Sequence, residues 1–137
     1  MYDHPTAAEL IAAARLQIER NLLPTLTEPR LRFQTLVAAN VLAIVERELA
    51  GGETHLAAAW QRMADLLGDR ASAAPPAGAE LIAAVAAQNM ALCSAIRAGG
   101  FDAGPQRQAL LAHLRRTAEA ELAVANPRYL ERVSSEY

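Results

Sequence analysis

Three features of the 137-residue chain predict an all-α fold, a single up-and-down helical bundle of about five helices spanning residues 1–137. Apolar residues recur at three- and four-residue spacing in five separate stretches. The hydrophobic content of 53% comes with only 4% aromatics, so Leu, Ile, Val and many Ala must build the core. Ala has the highest helix propensity and lets helices approach closely. No alternating Val/Thr/Tyr run bounded by Asn-Gly or Asp-Gly is present, so strand signals are nearly absent.

The first helix opens at "PTAAEL", where Thr6 and Glu9 stand as a capping box. Its stripe is Leu10 or Ile11, Ala14, Ile18 and Leu22, and Pro24 stops it. The second runs from about Thr27 to Leu49, with Pro29 in its first turn and Gly51-Gly52 as its stop. Phe33, Val37, Asn40 and Ile44 share one face and Leu42, Val45 and Leu49 another, which predicts a central helix. The third covers about Thr54 to Leu67, with Leu56, Trp60, Met63 and Leu67 at helical spacing. "GDRASAAPPAG" is the longest loop, read as a connection within one domain. The fourth, about Ala79 to Ala98, carries Ile82, Val85, Asn89, Leu92 and Ile96 as its stripe. The fifth begins near Pro105, carries Leu111, Leu114, Ala118, Leu122 and Ala125, and ends at Asn126-Pro127. The tail "RYLERVSSEY" is expected on the surface.

The net charge of −2 is interspersed along the chain, and no basic stripe with aromatics exists, so nucleic acid is not an expected partner. Every basic residue is Arg, which excludes Schiff-base chemistry and a P-loop lysine. The single Cys93 suits a reducing, cytoplasmic compartment and reads as inert helix packing. No secretory signal and no apolar run free of polar interruption over about 18 residues is seen, so no membrane association is expected. His4, His55 and His113 show no i, i+3 or i, i+4 pairing and no Glu-x-x-His, so neither a metal nor another cofactor is expected. No nucleophile-elbow or phosphate-loop context appears, and an enzyme using Asp3, His4 or Glu46 ranks last among the functions.

Two amides stand out. Asn40 interrupts the run from Leu36 to Val45, and Asn89 sits at the centre of the fourth stripe. The sequence predicts that they approach each other across the bundle and fix register, as a buried Asn does in coiled coils; lining a ligand pocket is the second reading. The second helix also runs against its dipole, with Arg30 and Arg32 first and Glu46 and Glu48 last. The fifth repeats this with Arg107 before Glu119 and Glu121. Antiparallel salt bridges between the two account for it, and an arginine cluster around an anion is the alternative. At the chain ends, Tyr2 and Tyr129 are read as staples onto the bundle, while Asn126, Arg128 and Tyr129 form a candidate partner surface.

The segments "DHPTAAEL", "RFQTLVAANVLAIVERELA" and "LAVANPRYL" resemble an uncharacterised bacterial all-helical family, a domain of unknown function. The resemblance spans nearly the whole chain, though 54–78 carries none of its motifs. It implies neighbours similar to aminoglycoside phosphotransferases and acyl-CoA dehydrogenases, and hence a non-enzymatic accessory or interaction role beside a small-molecule kinase of acyl-CoA metabolism. The His-x-Asp and Asp-x-Asp signatures of such kinases are missing from this chain. A small-molecule bundle for an acyl or CoA-type ligand is the alternative, with Asn40 and Asn89 orienting a polar group. A homodimer is compatible with the Ala-rich stripes.

Overall fold

A computed structural model describes residues 4–69 and 74–135. The chain is all-α, with five α-helices and no strand among these residues. They are α1 (Ala7–Gln17), α2 (Pro29–Leu67), α3 (Gly78–Arg97), α4 (Gly104–Ala125) and α5 (Pro127–Ser134). The chain forms two compact units, Met1–Gly52 and Glu53–Tyr137, whose boundary falls inside α2.

In the first unit the capping box forms as the sequence predicts. Glu9 N–H donates to Thr6 Oγ1 at 3.2 Å, and Thr6 N–H donates to Glu9 Oε2 at 2.6 Å. The bond from the Thr6 backbone, followed by that from His4, holds the Glu9 carboxyl below its ordinary pKa. Pro24 lies in the last helical turn before the chain extends at Leu26, as the sequence predicts, but the α-helix proper ends at Gln17. The chain widens into a π turn over Ile18–Leu22, closed by Leu23 N–H on Ile18 O, then tightens into a 3-10 turn over Leu23–Thr25. Glu28 starts α2, its carboxylate accepting from the N–H groups of Arg30 and Leu31 at 2.9 and 2.8 Å. Arg15 Nε donates to Glu46 at 2.9 Å and Arg15 Nη1 to Glu19 at 2.9 Å, marking the side of α2 that faces α1. Counting back from Glu46 by helical steps gives Leu42, Ala39 and Thr35, all half-buried or buried.

Gly51-Gly52 is not a stop. The two predicted helices on either side are one 39-residue helix, and Gly52 is buried within it. Glycine weakens a helix interior by about 1 kcal/mol against Ala without forbidding it, and neither residue takes the left-handed conformation that a glycine stop uses. A Cβ built on Gly52 meets only the flexible Glu48 side chain, its carboxylate oxygen at 3.0 Å. We therefore expect Gly52→Ala to stabilise the protein by about 0.5–1 kcal/mol in urea melts, with Glu48 rotating aside. A loss of stability would mean that the backbone there is not simple helix.

The second unit holds the core. Met63, Leu81, Val85, Leu92, Phe101 and Leu110 form one buried cluster, with Trp60 and Leu56 packed against it. On α3 the inward face is Leu81, Ala84, Val85, Gln88, Leu92 and Ala95. Three of the five positions of the predicted stripe are thereby corrected: Val85 and Leu92 are buried, whereas Ile82, Asn89 and Ile96 are exposed. The inward amide is Gln88, whose buried Oε1 has no hydrogen-bond partner. An unpaired buried acceptor costs about 1–3 kcal/mol, so Gln88→Met should be neutral or stabilising in thermal melts. Cys93 is exposed rather than packed. By length and composition alone α3 could cross a membrane, with mean hydropathy 1.5 over its best window. Its Leu81, Val85 and Leu92, however, are part of the packed core. Gly99-Gly100 reads as a helix stop in the sequence, and Gly99, at φ +83°, lies just beyond the last residues of α3.

On α4 the register also shifts by one: Leu110 and His113 are buried, while Leu111 and Leu114 are exposed. Asn126-Pro127 ends α4 and also begins α5. Asn126 Oδ1 caps the new helix by accepting from Tyr129 N–H at 3.2 Å, and Pro127 occupies its first turn. Pro127, Leu130 and Val133 are its half-buried side.

Candidate functional site

The residues singled out in the sequence fall into separate places. Asn40 is in the first unit and Asn89 in the second, and both are exposed, which corrects the expectation of two buried amides fixing register. The physical reason is that α1 covers only one side of α2. From Phe33 to Leu49 the exposed positions of α2 include Phe33, Leu36, Val37, Val41, Val45 and Leu49. Phe33 is 67% exposed and Val41 51%. The polar residues among the exposed positions of this stretch are Gln34, Asn40 and Glu48. Asn40 is thus a polar spot in an outward apolar face. The spacing Phe33, Val37, Val41, Val45, Leu49 is a four-residue ridge of the kind that packs into the groove of another helix.

Asn126, Arg128 and Tyr129, the candidate partner surface, do come together and line a shallow hollow of about 170 Å³ with Arg132. The Arg132 guanidinium lies 5.2 Å from the centre of the Tyr129 ring. Tyr129 is exposed, so it does not staple α5 onto the bundle. Tyr2 lies outside the described residues. Asn126 has a structural task as the cap of α5.

A cleft that the sequence reading missed lies in the second unit. It is open, about 260 Å³ in volume, and is formed by Arg62, Asp65 and Leu66 of α2 with Ala112, His113 and Arg116 of α4. His113 is 6% exposed. Arg62 Nε donates to His113 Nδ1 at 3.4 Å and Arg62 Nη2 to Thr117 Oγ1 at 3.4 Å. His113 and Thr117 stand four residues apart on one face of α4, so one edge of the guanidinium spans both. An Nδ1 that accepts must be bare, which puts the neutral ring's proton on Nε2. Burial, and then the neighbouring Arg62 charge, push the His113 pKa below its ordinary value. Burial, and then repulsion from Arg116, lower that of Arg62. The signal that could have found this site is weak: His113 falls on the apolar stripe of α4 once Leu110 is counted in place of Leu111.

The sign of the His113 shift fixes a pH dependence. Its folded pKa is lowered, so between the ordinary value of 6.5 and the folded value the unfolded chain binds more protons. Stability therefore falls as pH drops through that window, where a protonated Nδ1 can no longer accept from Arg62. Urea melts at pH about 7.5 and about 5.5 should show a larger loss for the natural protein than for His113→Gln. Equal losses would remove His113 as the cause.

Residues 24–129 match the family described as Domain of unknown function (DUF6285). The chain belongs to that family. No curated protein and no solved structure matched it. The match begins at Pro24 and ends at Tyr129. The outward face of α2 and the Arg62–His113 cleft are therefore both inside the DUF6285 segment, whereas the capping box of α1 precedes it. Among the described residues no group of three His, Cys, Asp or Glu is placed to hold a metal ion.

Proposed function

We propose that this DUF6285 chain is a non-enzymatic accessory domain that docks onto a phosphotransferase-like protein, a small-molecule kinase working in bacterial acyl-CoA metabolism in the cytoplasm. The observation that carries the docking role is the outward face of α2, where Phe33, Val37, Val41, Val45 and Leu49 are exposed along one ridge. Contiguous exposed apolar surface of this kind marks protein interaction sites. The resemblance noted in "RFQTLVAANVLAIVERELA" lies on the same helix and supplies the partner's class. Asn40 then has a role: a single amide within an apolar ridge sets the register in which a partner helix lies against it. Asn126, Arg128 and Tyr129 offer a second, more polar contact.

Co-expression of the chain with the phosphotransferase-like protein, followed by size-exclusion chromatography, tests this reading. The expected result is one co-eluting complex. Two folded proteins eluting separately at micromolar concentration would overturn it. The small-molecule reading finds its own observation in the cleft of the second unit.

A further inference from the structure

We infer that the Arg62–His113–Arg116 cleft is a binding site for the phosphate group of a small phosphorylated molecule that also carries a hydrogen-bond donor. Two guanidiniums line one small cleft, and the Arg116 charge disfavours that of Arg62. Among the described residues neither has a carboxylate within ion-pair distance, Asp65 included. Elsewhere among the described residues charges meet as opposite pairs, such as Arg15 with Glu46 and Arg115 with Glu119. Like charges kept together, one of them half-buried, lower stability unless an anion arrives.

The hydrogen-bond count points to phosphate. The Nε–Nη2 edge of Arg62 is engaged by His113 and Thr117, which fixes the plane of the guanidinium. The Nη1–Nη2 fork remains for a ligand, and this is the geometry that takes two oxygens of a phosphate or carboxylate. Arg116 supplies a second cation, and His113 retains its Nε2 proton as a further donor. One fork satisfies a carboxylate, whereas two cations and an imidazole N–H match the charge and the oxygen count of a phosphate dianion. Asp65 lines the same cleft and would repel a bare dianion. It is suited to accept from an amine or hydroxyl on the ligand. A volume of about 260 Å³ suits a small metabolite and not a nucleotide.

The test titrates the full chain with phosphoethanolamine, ethyl phosphate and acetate at matched ionic strength, following backbone amide shifts at 62–66 and 109–116. Saturable shifts with both phosphate monoesters, tighter for phosphoethanolamine and weak for acetate, are expected. Arg116→Gln should weaken both phosphate ligands about tenfold, the loss of one charge-assisted contact, and Asp65→Asn should narrow the gap between them. The absence of a saturable shift, equal binding of acetate, or an unchanged Arg116→Gln variant would overturn the site. Ethyl phosphate binding as tightly as phosphoethanolamine would overturn the donor-bearing ligand. The site is independent of the docking role, since Val41→Glu should bind phosphoethanolamine as the natural protein does.

Discussion

Leu81→Ala is expected to destabilise the protein by about 2–5 kcal/mol, the largest stability loss foreseen for a single substitution here. Leu81 is 1% exposed and shares its cluster with Met63, Val85, Leu92, Phe101 and Leu110. Removing its isobutyl group loses the transfer free energy and leaves a cavity among side chains on three helices, which relax only in part. The neighbouring Ile82 is 61% exposed, so Ile82→Ala should change stability by no more than about 0.5 kcal/mol. Urea melts of the two variants measure the register of α3 directly. Similar losses in both would mean that the inward face of that helix is wrongly placed.

Val41→Glu is expected to abolish docking while leaving the fold intact. Val41 is at the middle of the Phe33–Leu49 ridge, and a carboxylate at an exposed position alters the isolated domain by no more than about 0.5 kcal/mol. In a complex the same carboxylate is buried against apolar surface without a partner, which weakens binding by roughly a hundredfold or more. Asn40→Ala should act in the opposite sense on specificity, leaving affinity near its original value while loosening the register of the partner. Calorimetric titration of the phosphotransferase-like protein with each variant separates the two effects.

The helices were legible where a local rule suffices. Thr6 and Glu9 form their capping box from four adjacent residues, and Gly99 marks the end of α3 by a left-handed turn that suits glycine. Asn126-Pro127 carried two messages. A helix stop for α4 and a cap with N1 proline for α5 use the same dipeptide, and the sequence alone makes only the stop evident. Gly51-Gly52 failed because propensity is a weak prior that tertiary context overrides, and the helix continues through it.

The stripes of α3 and α4 each differ from the predicted ones at several positions for a common reason. Ala is neutral between inside and outside, so in an Ala-rich helix the large residues alone decide the face. Ile82, Leu111 and Leu114 are large, apolar and exposed, while Gln88 and His113 are polar and inward. A buried histidine held by an arginine does not look apolar in a sequence, and this hid the cleft. Asn40 shows the deeper limit. An apolar face that packs a core and one that awaits a partner have the same periodicity, so the sequence shows apolar residues on several sides of α2 but not which side α1 covers.

The docking face is therefore best tested by watching its own methyl groups. Methyl resonances of Val37, Val41, Val45 and Leu49 should shift, and become protected from solvent relaxation probes, when the phosphotransferase-like protein is added, while those of Leu81, Val85 and Leu92 stay in place. Unperturbed ridge methyls in a chain that nonetheless forms the complex would contradict the account.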